Sequence, residues 1–135
     1  MIPRFRAWDE KNKEMFKDTF AVTESGEVVT VEQDFITIAP DYIFVDHLTL
    51  MQSTGLTDKN GKEIFEGDIL SIETDEENVK VEVSWDSKHA LFVFESKKYN
   101  EKEALGELFE DNSYPFKIIG NVWEHPELAE VSSWT

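Results

Sequence analysis

Apolar and polar positions alternate along several short stretches of this chain, and a period of two is typical of β-strands. The clearest alternation is VKVEVSW, where every second residue from Val79 to Trp85 is apolar and the residues between them are polar or charged. GDILSIET before it and ALFVFES after it are dense in strand-forming residues, and the polar segments DEEN and DSKH separate the three. The pattern predicts a β-meander of three strands, which is typical of small SH3-like or OB-like barrels.

The N-terminal third is also predicted to be β-rich. In IPRFRAW the apolar residues Phe5 and Ala7 alternate with arginines, and DEKNK then supplies turn residues before a returning strand. The returning strand is predicted to contain Met15, Phe16, Phe20 and Val22. After a second turn at ESGE, the segments VVTV, FITIA and YIFVDHLTLM indicate further strands, with Pro40-Asp41 as a break between the last two.

Two segments have helical features. NEKEALGELFEDN places apolar residues at helical spacing from Ala104 to Phe109, with Asn100 as a candidate N-cap and Glu103 three residues later. HPELAE, near the C-terminus, has Pro126 close to the first position of a predicted helical turn. Between these two segments, YPFKIIGNVW is predicted to be the last strand.

The predicted fold class is therefore mainly β with a minor helical part. It is a small SH3-like or OB-like barrel with a β-rich N-terminal extension and one or two short helices. The length of 135 residues suits one domain. We expect a single domain over residues 1–135, with the N-terminal β-rich part at about 1–50 and the barrel-like part at about 51–126.

The densest pattern is LMQSTGLTDKNGKEIFEGDIL, residues 50–70, and its three glycines fit either a ligand-binding loop or tight turns. An EF-hand register would place Leu56 at the first ligand position and Gly67 at the twelfth, and neither has a side-chain oxygen. A phosphate loop requires Ser or Thr after the lysine and a helix after the loop, whereas Lys62 precedes Glu63 and a predicted strand.

We interpret this stretch as two turns. Asn60-Gly61 favours a tight type I′ hairpin, which needs positive φ at both central residues. Gly67 before Asp68 predicts a second turn, because glycine adopts backbone angles that residues with a Cβ avoid. Ile64 and its neighbour Phe65 are predicted to anchor the loop in the core.

Charge narrows the classes of partner. The chain has 13 Lys and Arg against 29 Asp and Glu, a net charge of -16, and such a field repels nucleic-acid phosphates and anionic membranes. The chain has no cysteine, and we find no signal peptide and no apolar run long enough to cross a membrane. We expect a cytoplasmic protein in the host cell that binds neither nucleic acid directly nor membrane.

The sequence shows no catalytic signature. His47, His89 and His125 lie far apart without a recognisable motif, and carboxylates are too numerous for one acid–base pair to be singled out. Ser53-Thr54 lacks the pattern of a nucleophile elbow. We therefore predict no catalytic residue, no cofactor and no metal site, and expect that the protein is not an enzyme.

Three segments together resemble the YopX family of phage and prophage proteins. They are IPRFRAWDEKNKEM, LMQSTGLTDKNGKEIFEGDIL and IIGNVWEHPELAE, and they occur in the family's order over nearly the whole chain. The resemblance implies a mainly β, barrel-like fold that self-assembles, and it implies no reaction. The segments 18–46 and 86–113 match the family pattern least, so differences between members are expected there.

The positions that match the family pattern are predicted to be structural or to lie at an interface. The ten motif positions are Arg6, Trp8, Gln52, Gly55, Asp58, Gly61, Gly67, Asp68, Gly120 and Asn121. Phe5, Ala7, Leu56, Glu66, Pro126, Glu127 and Leu128 also match. For the polar members two interpretations stay open: they bond backbone groups in turns, or they form part of a subunit contact.

The leading functional hypothesis is a non-enzymatic phage accessory protein that acts as a self-associating β module, a homo-oligomer, and binds a host or phage protein. The alternative is an acidic decoy that resembles DNA and occupies a nucleic-acid-binding protein. A third hypothesis is an enzyme or metal site assembled from distant Asp, Glu and His residues. A fourth, single-strand binding on an OB-like face, lacks the basic track that such grooves use.

Overall fold

The computed structural model describes residues 3–17, 20–33, 40–44, 47–111 and 114–129. These residues form twelve strands and two short helices, which confirms the mainly β, barrel-like fold class. The elements are β1 (Phe5–Asp9), β2 (Glu14–Phe16), β3 (Phe20–Val22), β4 (Val28–Gln33), β5 (Pro40–Phe44), β6 (Leu48–Thr57), β7 (Glu63–Phe65), β8 (Asp68–Glu73), β9 (Asn78–Asp86), β10 (Leu91–Ser96), β11 (Glu101–Ala104), α1 (Gly106–Asp111), β12 (Phe116–Asn121) and α2 (Pro126–Ala129). The chain divides into two compact units, one of Arg4–Met51 and a larger one that contains Pro3 and the chain from Gln52 onward.

The smaller unit contains an N-terminal hairpin and a separate sheet. β1 and β2 pair antiparallel, with Ala7 opposite Phe16, which confirms the predicted hairpin. β3, β4 and β5 form an antiparallel sheet in that order. Thr23 N donates to the carbonyl oxygen of Glu27 across the predicted ESGE turn (2.8 Å).

Two predictions for the smaller unit are wrong. The returning strand does not run from Met15 to Val22, because β2 ends at Phe16 and Phe20 begins β3, which pairs with β4 instead. Phe16, Phe20 and Val22 all fall at even-numbered positions, so hydrophobic spacing alone does not reveal where β2 ends and β3 begins. In β1 the alternation of buried and exposed residues also fails, since Arg6 is as buried as the apolar residues that follow it.

The last two predicted strands of this region have a mixed outcome. The segment FITIA lies outside the described residues. YIFVDHLTLM is not one strand: β5 ends at Phe44, β6 begins at Leu48, and residues 45–46 lie outside the described part. Pro40 is the first residue of β5, a position at which a strand tolerates a residue without an N–H donor.

The larger unit is built around a curled half-barrel sheet with the strand order β11-β10-β9-β8-β12. β8, β9 and β10 are consecutive antiparallel neighbours, which confirms the predicted meander. β12 pairs with the outer side of β8, and a bulge between Ile118 and Gly120 shifts its register.

One face of this sheet carries the hydrophobic core. The central cluster consists of Ile64, Leu70, Ile72, Val81, Val83, Leu105 and Phe116, and Leu108 and Phe109 of α1 pack against it. The rings of Phe109 and Phe116 meet edge to face with centroids 5.0 Å apart. Full burial of each large aliphatic side chain contributes about 1.5–3 kcal/mol, so this cluster is the main stabilising contact of the unit.

The predicted helix start at Asn100 is wrong. Glu101–Ala104 forms β11, which pairs with β10, and the helix begins only at Gly106. Asn100 lies in the hairpin turn with φ of 52°, which no helix N-cap adopts. An isolated short helix is marginal in water, so pairing with an existing strand overrides the helical spacing. The predicted helix at Pro126 is confirmed as α2.

Three hairpins of this fold use the same turn construction. A polar side chain at the end of the first strand accepts a backbone N–H from within the turn, as Asp86 does from Lys88 and His89. Asp9 and Ser96 play the same part in the β1–β2 and β10–β11 hairpins. Each turn then closes with a left-handed residue at Lys13, Ala90 or Asn100.

Ala90 is the least suited of these three residues to its conformation. Its φ is 55°, and its methyl group offers no polar atom that could compensate for the clash with the backbone. Ala90→Gly relieves this strain but makes the unfolded chain more flexible, which offsets part of the gain. We expect a net increase of roughly 0.5–1 kcal/mol in the free energy of unfolding, measured with denaturant.

Ser87→Gly in the same turn is the matched control, because Ser87 does not have positive φ. We expect this change to leave stability unchanged or to lower it. Equal gains from the two variants would contradict the backbone argument.

Candidate functional site

Gly55 lies in an irregular part of the β6–β7 hairpin. The register shifts between the Ser53–Phe65 and Thr57–Glu63 pairs, and Gly55 between them has φ of 79°. The hydroxyl of Thr54 donates to the carbonyl oxygen of Ile64 (2.8 Å), which is fully buried in the core. The glycine therefore allows the strand to bulge while its neighbours remain anchored. Ile64 confirms the predicted anchor, whereas Phe65 is only half-buried.

The turn from Asp58 to Lys62 is not the predicted type I′ hairpin. Only Gly61 has positive φ, 79°, and Asn60 does not. Gly61 N donates to the carbonyl oxygen of Asp58 (3.0 Å), and the Asp58 carboxylate accepts the N–H groups of Asn60 and Lys62 (both 2.9 Å). This side-chain cap favours right-handed backbone before the glycine, so one left-handed residue is enough.

The Asp58 turn also bonds the last strand. The second carboxylate oxygen of Asp58 accepts Ile118 N (2.9 Å), and Lys59 N donates to the carbonyl oxygen of Phe116 (3.1 Å). Asp58 itself is only 6% exposed. Burial would raise the pKa of this carboxyl group, but the N–H donors of Ile118, Lys62 and Asn60 outweigh it and lower the pKa below 3.8.

The second turn connects β7 to β8. The buried carboxylate of Asp68 accepts Phe65 N (2.8 Å) across the turn. Gly67 has φ of 86°, and its N–H and carbonyl oxygen bond Val83 and Val122 respectively. A Cβ on Gly67 would lie 3.0 Å from the indole nitrogen of Trp123, so both backbone angle and space require glycine here.

The main chain of Gln52 bonds both the main chain and the side chain of Glu66. Glu66 N donates to the carbonyl oxygen of Gln52 (3.0 Å), and Gln52 N donates to the carboxylate of Glu66 (2.8 Å). The sequence singled out the side chain of Gln52, whereas these two bonds use its main chain. Glu66 matches the family pattern, but its part in closing the turn could not be inferred from spacing alone.

Gly120 and Asn121 form the junction between β12 and α2. The side-chain oxygen of Asn121 accepts Trp123 N and Glu124 N (3.0 and 2.7 Å), which caps the turn before α2. A Cβ on Gly120 would lie 2.8 Å from both His125 Nδ1 and a methyl carbon of Leu128. Glycine therefore lets α2 pack directly on the strand, a requirement that the isolated His125 did not reveal in the sequence.

Arg6 and Trp8 belong to the smaller unit. Both are buried, and the indole nitrogen of Trp8 donates to a carboxylate oxygen of Glu10 (2.7 Å). Next to them, buried Asp9 accepts the N–H groups of the following turn and lies 3.3 Å from the Nε2 atom of His47. Burial raises the pKa of Asp9, but hydrogen bonds from Asn12 and the nearby His47 lower it overall.

The residues of these turns belong to a sequence pattern that is shared with a known protein family. The model of the YopX protein family matches residues 4–130. The chain belongs to the YopX family. This membership confirms the family resemblance inferred from the sequence, and the matched range includes all ten motif positions.

Two solved structures are similar to this YopX chain. The crystal structure of the YopX protein from Bacillus subtilis is 20% identical, with a TM-score of 0.66, and the match covers 93% of this chain and 97% of that one. The crystal structure of EF1440 from Enterococcus faecalis is 26% identical, with a TM-score of 0.59, and covers 96% and 99%. No curated protein matches the chain.

The polar groups of these motif turns are engaged with the protein's own backbone. Both oxygens of Asp58 accept N–H groups, and one oxygen each of Asp68 and Asn121 does the same. In the described part of the YopX chain, no group of three His, Asp or Glu side chains is placed to hold a metal ion. Within the same ranges no helix has the length and apolarity to cross a membrane.

The ten motif positions therefore fall into three places. Gln52, Gly55, Asp58, Gly61, Gly67 and Asp68 shape the β6–β7–β8 turns, Gly120 and Asn121 shape the exit from β12, and Arg6 and Trp8 lie on β1 of the smaller unit. Hydrogen bonds bring the Asp58 turn and β12 together. A role at a subunit interface stays a prediction for all ten.

Asp58→Asn tests the bond between the turn and the last strand. The amide would present an N–H group to one of the donors that Asp58 now accepts, so we expect a loss of about 2 kcal/mol in denaturant unfolding at neutral pH. Because the folded pKa lies below 3.8, the carboxylate stabilises the protein above that pH, and the difference from wild type should disappear as the pH falls through the folded pKa.

Asp75→Asn in the exposed β8–β9 loop is the matched control for this charge change. We expect it to leave stability unchanged throughout the pH range. A similar loss in both variants would assign the effect to net charge rather than to the Asp58 hydrogen bonds.

Proposed function

We propose that this YopX-family chain is a non-enzymatic phage or prophage accessory protein of the host cytoplasm that self-associates and, once assembled, binds another protein. The observation that supports self-association is an exposed aromatic surface on the larger unit. Trp85 is 43% exposed at the end of β9, and its ring meets Phe92 edge to face at 5.0 Å. Tryptophan is among the residues that contribute most at the centres of protein interfaces.

The surroundings of Trp85 favour a contact between copies. Phe92 lies directly opposite Trp85 in the β9–β10 pair, so both rings lie on the same face of the sheet, and we call Trp85 and Phe92 the Trp85 patch. A two-fold axis brings the same patch of two copies together, and apolar surfaces complement themselves. A fully buried aromatic side chain covers about 150–250 Å², and Trp85, at 43% exposure, has less than half of its surface left to bury. A stable interface needs roughly 800 Å² per partner, so the patch would form the centre and not the whole contact.

Net charge sets the expected salt dependence of this assembly. Each copy carries a charge of -16, so two copies repel each other at low ionic strength. Salt screens this repulsion over about 10 Å at 0.1 M and leaves apolar contact intact. Self-association through the Trp85 patch should therefore strengthen as salt is added, which distinguishes it from association driven by opposite charges.

Sedimentation equilibrium of wild type, Trp85→Ser and Tyr99→Ser at low and moderate salt tests the proposal. Tyr99 is a matched control because it is 46% exposed and lies in the β10–β11 turn, at the other end of β10 from Phe92. We expect wild type and Tyr99→Ser to associate more tightly with salt, and Trp85→Ser to weaken association at least about tenfold, or 1.4 kcal/mol. A wild-type protein that stays monomeric at high concentration, or equal effects of the two variants, would refute it.

The charge supports a second candidate function, a decoy that presents DNA-like charge to a nucleic-acid-binding protein. The exposed acidic residues Asp75 and Glu76 extend the negative surface at the β8–β9 loop. Immobilised protein should then retain basic nucleic-acid-binding proteins from host lysate and release them as salt rises. Recovery of none would dismiss the decoy, and its salt dependence is opposite in sign to that of self-association.

A further inference from the structure

The tip of the Asp58 turn combines an exposed asparagine with an unobstructed glycine. Asn60 and Gly61 are both exposed, and nothing lies within 4 Å of the position that a Cβ on Gly61 would occupy. The side-chain amide of Asn60 makes no hydrogen bond to any described residue. This amide is therefore free to rotate towards the backbone nitrogen of Gly61.

We propose that Asn60 is a site of spontaneous deamidation, so that the Asp58 turn undergoes a slow covalent change as the protein ages. The backbone nitrogen of Gly61 loses its proton to solvent base and attacks Cγ of Asn60, a C–N bond forms, and the side-chain nitrogen leaves as ammonia. Water then opens the resulting succinimide at either carbonyl carbon, which gives aspartate or isoaspartate. Water is the only co-reactant, and no group is oxidised or reduced.

Asn60 is the asparagine best suited to this reaction. It is the one asparagine in the sequence that precedes glycine, and a side chain on the following residue obstructs the attacking nitrogen at the other positions. Two other asparagines also have engaged side chains: the amide of Asn12 donates to Asp9 (2.8 Å), and the oxygen of buried Asn121 accepts two N–H groups.

One hydrogen bond opposes the reaction at Asn60. Gly61 N donates to the carbonyl oxygen of Asp58 (3.0 Å), and this bond must open before the nitrogen can attack. Exposed hairpin tips open locally at a small fraction of the cost of global unfolding. The folded protein should therefore deamidate more slowly than a free peptide, but on an observable timescale.

The product changes the turn that holds the last strand. Isoaspartate adds one carbon atom to the main chain between residues 60 and 61, inside the segment whose N–H groups at Asn60 and Lys62 bond the Asp58 carboxylate. The same carboxylate accepts Ile118 N. Displacing the carboxylate would weaken its hydrogen bond to β12, so deamidation at Asn60 would destabilise the edge of the sheet.

Deamidation is measured by incubating the intact protein in mildly alkaline buffer and mapping its peptides by mass spectrometry. We expect a gain of one mass unit in the peptide that contains Asn60, and a decrease in its rate of at least about tenfold in Asn60→Gln. Asn78→Gln, at an exposed asparagine followed by valine, is the matched control and should keep the wild-type rate at Asn60. An unmodified Asn60, while a free peptide of residues 58–62 converts fully, would overturn the proposal.

A second measurement tests the effect on the fold. Each conversion adds a negative charge, so the aged protein can be separated from the original by anion exchange. We expect the isoaspartate fraction to unfold at a lower denaturant concentration than unaged protein. An identical midpoint in the two fractions would refute the link between the modified tip and β12.

Discussion

The carboxylate of Asp58 makes the contact on which the larger unit depends. It accepts two N–H groups of its own turn and that of Ile118, sixty positions along the chain. β12 is one of the two edge strands of the five-stranded sheet, and an open edge exposes N–H and carbonyl groups that can pair with another chain. Because Asp58 and Lys59 bond Ile118 N and the carbonyl oxygen of Phe116, the turn satisfies part of this edge without adding a full strand.

The neighbouring motif residues keep the two ends of this contact in place. Gly67 bonds β9 through Val83 and the segment after β12 through Val122, so one glycine joins the middle of the sheet to its edge. At the other end of β12, the absence of a Cβ on Gly120 lets His125 and Leu128 approach the strand. The two glycines matter because they have no side chain to obstruct these contacts. Asp58, Asp68 and Asn121 instead supply side-chain oxygens that accept otherwise unpaired N–H groups.

Local patterns of the sequence predicted the parts of the fold that local physics determines. The meander follows from the alternation around Val81 and Val83, and the left-handed glycines follow from their turn context. Glu101–Ala104 could not be assigned from spacing, because its strand conformation comes from pairing with β10. The type I′ prediction failed for a related reason: the pattern Asn-Gly does not show that the Asp58 carboxylate caps the turn and that Asn60 lacks positive φ. The bond to Ile118 links segments too distant for any periodicity to relate.

The hydrogen bonds of Asp58 and Asp68 to the backbone make these carboxylates unfavourable ligand-binding groups. A ligand that used the carboxylates of Asp58 or Asp68 would have to replace their backbone N–H donors, and each buried donor left unpaired costs about 1–3 kcal/mol. The motif is thus better suited to holding shape than to exchanging partners. Surfaces that can change partners without that cost are the exposed ones, such as Trp85 at the end of β9. The scaffold and the surfaces available for contact are therefore formed by different residues of this chain.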